Sequence, residues 1–216
     1  MRKLKLISKF TLKISAGVFG LFSITFGIIG DIIAYLMYPG YDFRRKAVSS
    51  LCKGPGGLFF QSGTVLSGFF ALIFVIYLVR TFDGDEINEN LRKFAKIMAI
   101  VSCASFIMLG VFCGSNPIVA YIHGTSAMIS WISGLLYITL YNIFFIRSSN
   151  YSKFLGYFGF IETIILLLML IFFCLHLFPA LRFLMKILPI LEWTNTISLI
   201  LWYLVISIYV IHKRIK

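Results

Sequence analysis

Six long apolar runs, separated by short charged connections, leave this chain few folds to choose from. They cover 14–38, 58–79, 95–114, 121–146, 154–177 and 193–211. A helix rises ~1.5 Å per residue, so ~20 apolar residues cross the ~30 Å hydrocarbon layer of a bilayer. Strands that do not close into a barrel leave backbone groups unpaired in lipid, and runs of this length are helices. The predicted architecture is all-α: an integral membrane bundle of six transmembrane helices forming one domain over 1–216. Composition agrees, with 60% of the 216 residues hydrophobic and only 13% charged. A soluble domain carries roughly 25% charge, and one core of this size has no room for so much apolar side chain. The basic start, Met1-Arg-Lys-Leu-Lys5, runs into an apolar stretch longer than a signal peptide uses and without an A-x-A site, so the first helix is expected to stay as a signal-anchor.

Lys and Arg set the orientation. One side collects Arg2, Lys3, Lys5, Lys9, Lys13, Arg80, Arg92, Lys93, Lys96, Arg147, Lys153, Lys213, Arg214 and Lys216, fourteen of the twenty cations. The other side holds six: Arg44, Arg45, Lys46, Lys53, Arg182 and Lys186. The bias places both termini in the cytoplasm of a multi-pass cell-membrane protein. The net charge of +12 is scattered between apolar runs instead of lining one face, which excludes nucleic acid as a partner. The acidic stretch at 83–90 lacks the ligand order of a calcium loop and reads as a solvated connection.

Small residues recur at helical spacing. Gly17, Gly20, Ser23, Gly27, Gly30 and Ala34 line the first helix, Gly63, Ser67 and Ala71 the second, Gly110 and Gly114 the third, and Ser126, Ser130 and Gly134 the fourth. Such stripes let helices approach closely in lipid, within the bundle or between copies in a homo-oligomer. The fifth helix is bulky from Ile164 to Leu170 and is expected to face lipid over most of its surface. The four cysteines have no paired spacing and read as small apolar packers. Only Cys52 lies in an outer loop, where a bridge to Cys113 is geometrically conceivable.

An ionisable group at membrane depth is a candidate functional residue. Asp31 borders the small stripe of the first helix and faces the bundle. His123 opens the fourth helix just after Ser115-Asn116-Pro117 and has Ala127 and Ser130 on its inward side. Glu162 follows Gly159 near the cytoplasmic end of the fifth helix, where a structural partner such as Ser, Tyr or Lys is expected. The first outer loop, Tyr38-Pro-Gly-Tyr-Asp-Phe-Arg-Arg-Lys46, keeps cations on the side where topology disfavours them. Paired guanidinium groups suit phosphate or carboxylate. Asp31, Tyr41, Arg44, Arg45, Asn116 and His123 are therefore the predicted binding residues, with Tyr41, Arg44, Arg45 and His123 expected to form one anionic-ligand site. No H-x-x-H, H-E-x-x-H, G-x-S-x-G, Walker or Rossmann pattern occurs, so no catalytic set, metal site or cofactor is predicted.

Tyr38-Pro-Gly-Tyr41, Val48-Ser-Ser-Leu51, Phe60-Gln-Ser-Gly63 and Leu66-Ser-Gly68 resemble the prokaryotic domain-of-unknown-function family nine-nine-eight, similar to the DRAM/Frag/Sfk group of six-helix membrane proteins. His123 opening the fourth helix and Glu192-Trp193 before the last fit the order of that family's later landmarks. Ser50, Cys52 and Gln61 stand where its pattern has an acidic residue, a glycine and an asparagine, so a loop carboxylate is missing here. The resemblance implies the six-helix fold and, through eukaryotic relatives tied to lipid remodelling and lysosomal membranes, a link to membrane lipids; it implies no mechanism.

The expected function is non-catalytic binding of a membrane lipid or small amphiphile at the outer ends of helices one to four. A lipid-modifying enzyme with His123 and Asp31 as its acid–base pair is one alternative. A transporter component is the other, disfavoured by few intramembrane charges and no broken helices in paired halves.

Overall fold

The computed structural model describes residues 2–82, 87–175 and 178–213, with side chains from Ala16 onward. The acidic connection at 83–86, His176 and the basic side chains at the two extremes of the chain lie outside the described residues.

Six long helices account for most of the chain: α1 (Arg2–Leu36), α2 (Gly57–Arg80), α3 (Glu89–Val111), α4 (Pro117–Arg147), α5 (Lys153–Leu175) and α6 (Leu188–His212). Each contains a stretch long and apolar enough to cross a membrane; in α1 that stretch is Ala16–Leu36. Two short 3₁₀ segments, Val48–Lys53 and Pro179–Lys186, precede α2 and α6. Four helices begin earlier than the predicted runs: α1 and α3 through polar first turns that are still helical, α4 and α6 through a first turn that carries proline. Asn88 caps α3 by accepting from the Asn90 and Leu91 N–H groups, which moves its start from 95 to Glu89. Asn116 does the same for α4 through Ile118 N–H, with Pro117 in the first turn, where a missing N–H costs nothing. Helix α6 opens at Leu188 with Pro189 in its first turn, and α1 runs back to Arg2 through its basic residues.

Each helix packs on its neighbour in sequence, and α1 closes on α6, so the bundle is a ring. Its outer wall is apolar, as lipid demands: Leu36, Leu58, Ile118 and Tyr121 are all exposed. In α5, Ile164, Leu167, Leu168 and Ile171 face outward while Leu166, Met169 and Leu170 are buried. The bulky run therefore supplies both a lipid face and a core face.

The small-residue stripe of α1 is divided between two partners. A Cβ on Gly17 would meet Ser207 and Ile211 of α6. One on Gly30 would stand 2.8 Å from the Phe59 carbonyl oxygen and 2.9 Å from the Gly63 Cα of α2. With Ser23 Oγ and Ser67 Oγ 3.2 Å apart, the two backbones lie almost in contact. Elsewhere, polar side chains pair across helices. Ser102 and Ser130 each donate to the other's carbonyl at 2.9 and 3.1 Å, clasping α3 to α4. Tyr141 donates to the Val75 carbonyl at 2.9 Å. The fully buried Asn142 accepts from Trp202 Nε1 at 3.0 Å and donates to Thr163 at 3.2 Å, joining α4, α5 and α6.

Cys52 and Cys113 form a disulfide, with Cα atoms 5.9 Å apart. This corrects the reading of all four cysteines as apolar packers. Helix α3 stops at Val111, so Cys113 sits in the connection beyond the helix, against the 3₁₀ segment that carries Cys52. Cys103 is buried and free, as a packer would be; Cys174 is free and exposed.

Candidate functional site

Side chains fill part of the ring's interior and leave a cavity of about 150 Å³ inside it. One end of it is built from Val48 and Ser49 of the first 3₁₀ segment, Asp31 of α1 and Glu192 of α6. Deeper in, the wall includes Ser67, Ser102, Ser130, Tyr137, Glu162, Asn195 and Tyr203, interleaved with Ile24, Phe106, Leu109, Leu166 and Leu199. Every long helix contributes.

Three carboxylates thus share one interior space. Asp31, five residues before the end of α1, is half-buried and lines the cavity. Glu192 Oε1 accepts from the Ser49 backbone N–H at 2.9 Å. That donor lies in the first turn of the 3₁₀ segment and has no partner inside it, so a carboxylate from α6 caps an element 143 residues away in sequence. Glu162 lies nine residues beyond Lys153, ~14 Å into α5, deeper in the bundle than its place early in the fifth apolar run suggested. Its Oε2 accepts from the Ser198 hydroxyl of α6, a partner of the expected kind. Its Oε1 is buried and has no hydrogen-bond partner among the described residues, and the same is true of Asn195 Oδ1. Glu162 is 2% exposed and Asn195 7%, so water outside the bundle reaches neither.

The residues predicted from sequence separate. The Tyr41 hydroxyl has the Ala47 carbonyl at 2.7 Å and the Lys46 carbonyl at 3.0 Å sharing its one proton, and it accepts from Trp193 Nε1 at 3.2 Å. It ties the loop at 37–47 to α6, and burial pushes its phenol well above the usual range against the opposing Trp193 hydrogen bond. Arg44 and Arg45 are exposed; Arg45 Nε lies 3.6 Å from Asp42, and the Arg44 guanidinium sits 5.7 Å from the Phe43 ring. Asn116 is the cap of α4. His123 Nδ1 lies 3.0 and 3.1 Å from the Leu109 and Phe112 carbonyls, where it acts as a donor closing the end of α3. It also borders a second, smaller cavity of about 140 Å³ with Ser49, Lys53 and the disulfide. Only Asp31 reaches the main cavity; His123 lines the other, and Tyr41, Arg44, Arg45 and Asn116 line neither. The Asp31–His123 acid–base pair is therefore not assembled in one space.

Sequence reasoning missed Glu192 and Asn195 as cavity residues. A signal was present: 192, 195 and 199 follow the i, i+3, i+7 spacing of one helix face, and a polar pair on that face of an apolar run marks an inward stripe.

No curated protein and no solved structure matches the chain. The family model described as "Protein of unknown function (DUF998)" matches residues 22–209, nearly the whole helical bundle, and the chain belongs to that family.

Proposed function

We propose that this polytopic membrane protein is a non-catalytic binding protein of the cell membrane, with both termini in the cytoplasm, that takes a small amphiphile or lipid group into the cavity between its helices from the outer side. The observation that carries this reading is the cavity itself, lined by all six helices and mixing apolar wall with buried polar atoms. Ligand sites combine these features, an apolar enclosure with a few placed polar groups. The charge asymmetry supports the orientation, and so does the Cys52–Cys113 bridge, because disulfides persist on the oxidising side of a membrane. Arg44 and Arg45, exposed in the first outer loop, are suited to anionic headgroups of the outer leaflet, separately from the cavity.

Native mass spectrometry of gently purified protein tests both parts. Leu199→Trp places an indole in the cavity wall and is expected to abolish the bound small-molecule mass while leaving the lipid complement unchanged. Arg44→Gln with Arg45→Gln is expected to do the reverse, losing co-purified anionic lipid and keeping the cavity ligand. An unchanged bound mass in Leu199→Trp overturns the cavity reading, and an unchanged lipid complement in the double variant reduces the loop to an anchor.

A further inference from the structure

The main cavity presents hydroxyls and acids but, among the described residues, no fixed cation. Its lining contains Asp31, Glu162 and Glu192 and, among the described residues, no Lys, Arg or His. Glu162 Oε1 and Asn195 Oδ1, both buried by more than nine-tenths and both on the cavity wall, lack a donor among the described residues. Ser198 does not relieve them. Its one hydroxyl proton faces two acceptors, Glu162 Oε2 and, at 3.1 Å, the Asn195 carbonyl. An acceptor left unpaired inside a protein carries the full cost of its lost hydration, so native structures match such atoms with a donor. Among the described residues none supplies it, and the missing partner is a donor that enters from outside.

We infer that the cavity ligand carries a protonated amine, held by Glu162 Oε1 and Asn195 Oδ1 in the middle of the bundle. This rests on the binding role proposed above and names the chemistry of its ligand. An ammonium group offers three donors and no acceptor, the complement of these two unpaired oxygens. Its charge is matched by the carboxylates, and Asp31 and Glu192 place two more along the way from the outer end. A bare metal ion does not fit, since no group of three or more His, Cys, Asp or Glu able to hold one exists among the described residues. The acids are spread along the cavity, an arrangement that suits an extended molecule. Phe106, Leu109, Leu166 and Leu199 supply an apolar wall for its body. A volume of about 150 Å³ takes an alkyl chain or single ring, not a whole phospholipid.

Binding of hexylamine, hexanol and hexanoate to the full chain in lipid nanodiscs, near pH 7, tests this. The three probes share a body and differ in the head. Hexylamine is expected to bind roughly tenfold or more tightly than hexanol, and hexanoate to bind weakest, a gap typical of a charge-assisted hydrogen bond. Glu162→Gln is expected to erase the preference for the amine while leaving hexanol binding in place. Should that variant not fold, Asn195→Asp adds a carboxylate at the same spot and is expected to tighten hexylamine; unchanged or weaker binding overturns the inference. Equal binding of hexylamine and hexanol overturns the amine assignment and leaves the cavity reading standing. Binding of none of the three overturns both.

Discussion

Glu192 and Trp193 show how two adjacent residues settle one end of the molecule. Glu192 accepts from the Ser49 N–H, and Trp193 Nε1 donates to Tyr41 and, at 3.3 Å, to the Lys46 carbonyl. Together they fasten the loop at 37–47 to the start of α6. Glu192→Gln keeps a carbonyl oxygen for Ser49 and is expected to leave stability nearly unchanged. Glu192→Leu strands a half-buried donor, and the expected loss is about 1–3 kcal/mol. Equilibrium unfolding in mild detergent separates the two; equal losses would show that charge, not hydrogen bonding, holds the loop. The exposed arginines of that loop were legible from composition and topology. The clasp beneath them was not, because its partners lie 143 and 152 residues apart and nothing local announces them.

Between elements, close approach decides what each glycine does. At Gly30 the atoms facing an added methyl are backbone atoms of Phe59 and Gly63, which cannot rotate away. Gly30→Ala is therefore expected to push α1 off α2 and cost about 1–3 kcal/mol. Gly124 of α4 has nothing within 4 Å of such a methyl. Gly124→Ala is expected to gain about 0.5–1 kcal/mol by restricting the unfolded backbone. Thermal unfolding of the two variants side by side checks the contrast, and a stabilised Gly30→Ala would mean the seam is looser than the structure shows. The helical spacing made the α1 stripe visible in the sequence. Its division between α6 at Gly17 and α2 at Gly30 was not, since a straight helix drifts across its neighbours and the stripe does not record which neighbour it meets.

For the molecule as a whole, the proposed orientation is open to direct measurement. Reporter fusions after residues 50, 87, 118, 150 and 185 are expected to alternate outside, inside, outside, inside, outside. Cys52 and Cys113 are expected to resist thiol labelling until a reductant is added, while Cys174 reacts without it. An externally accessible amino terminus would overturn the placement. The sequence by itself determined the six helices, their approximate bounds, the apolar outer wall and the family, because length, hydropathy and short motifs are local properties that lipid makes decisive. Asp31 was legible as a site residue for the same reason: a carboxylate in an apolar run stands out wherever the run packs. The tertiary structure alone decided that α1 meets α6 to close a ring, that the ring encloses a cavity, and that Glu162, Glu192 and Asn195 share it with Asp31. It also decided that Cys52 meets Cys113 and that His123 turns to the end of α3. Such facts depend on which helix faces meet across the bundle, and hydropathy, which reports only that a residue avoids water, carries no information about the partner it finds there.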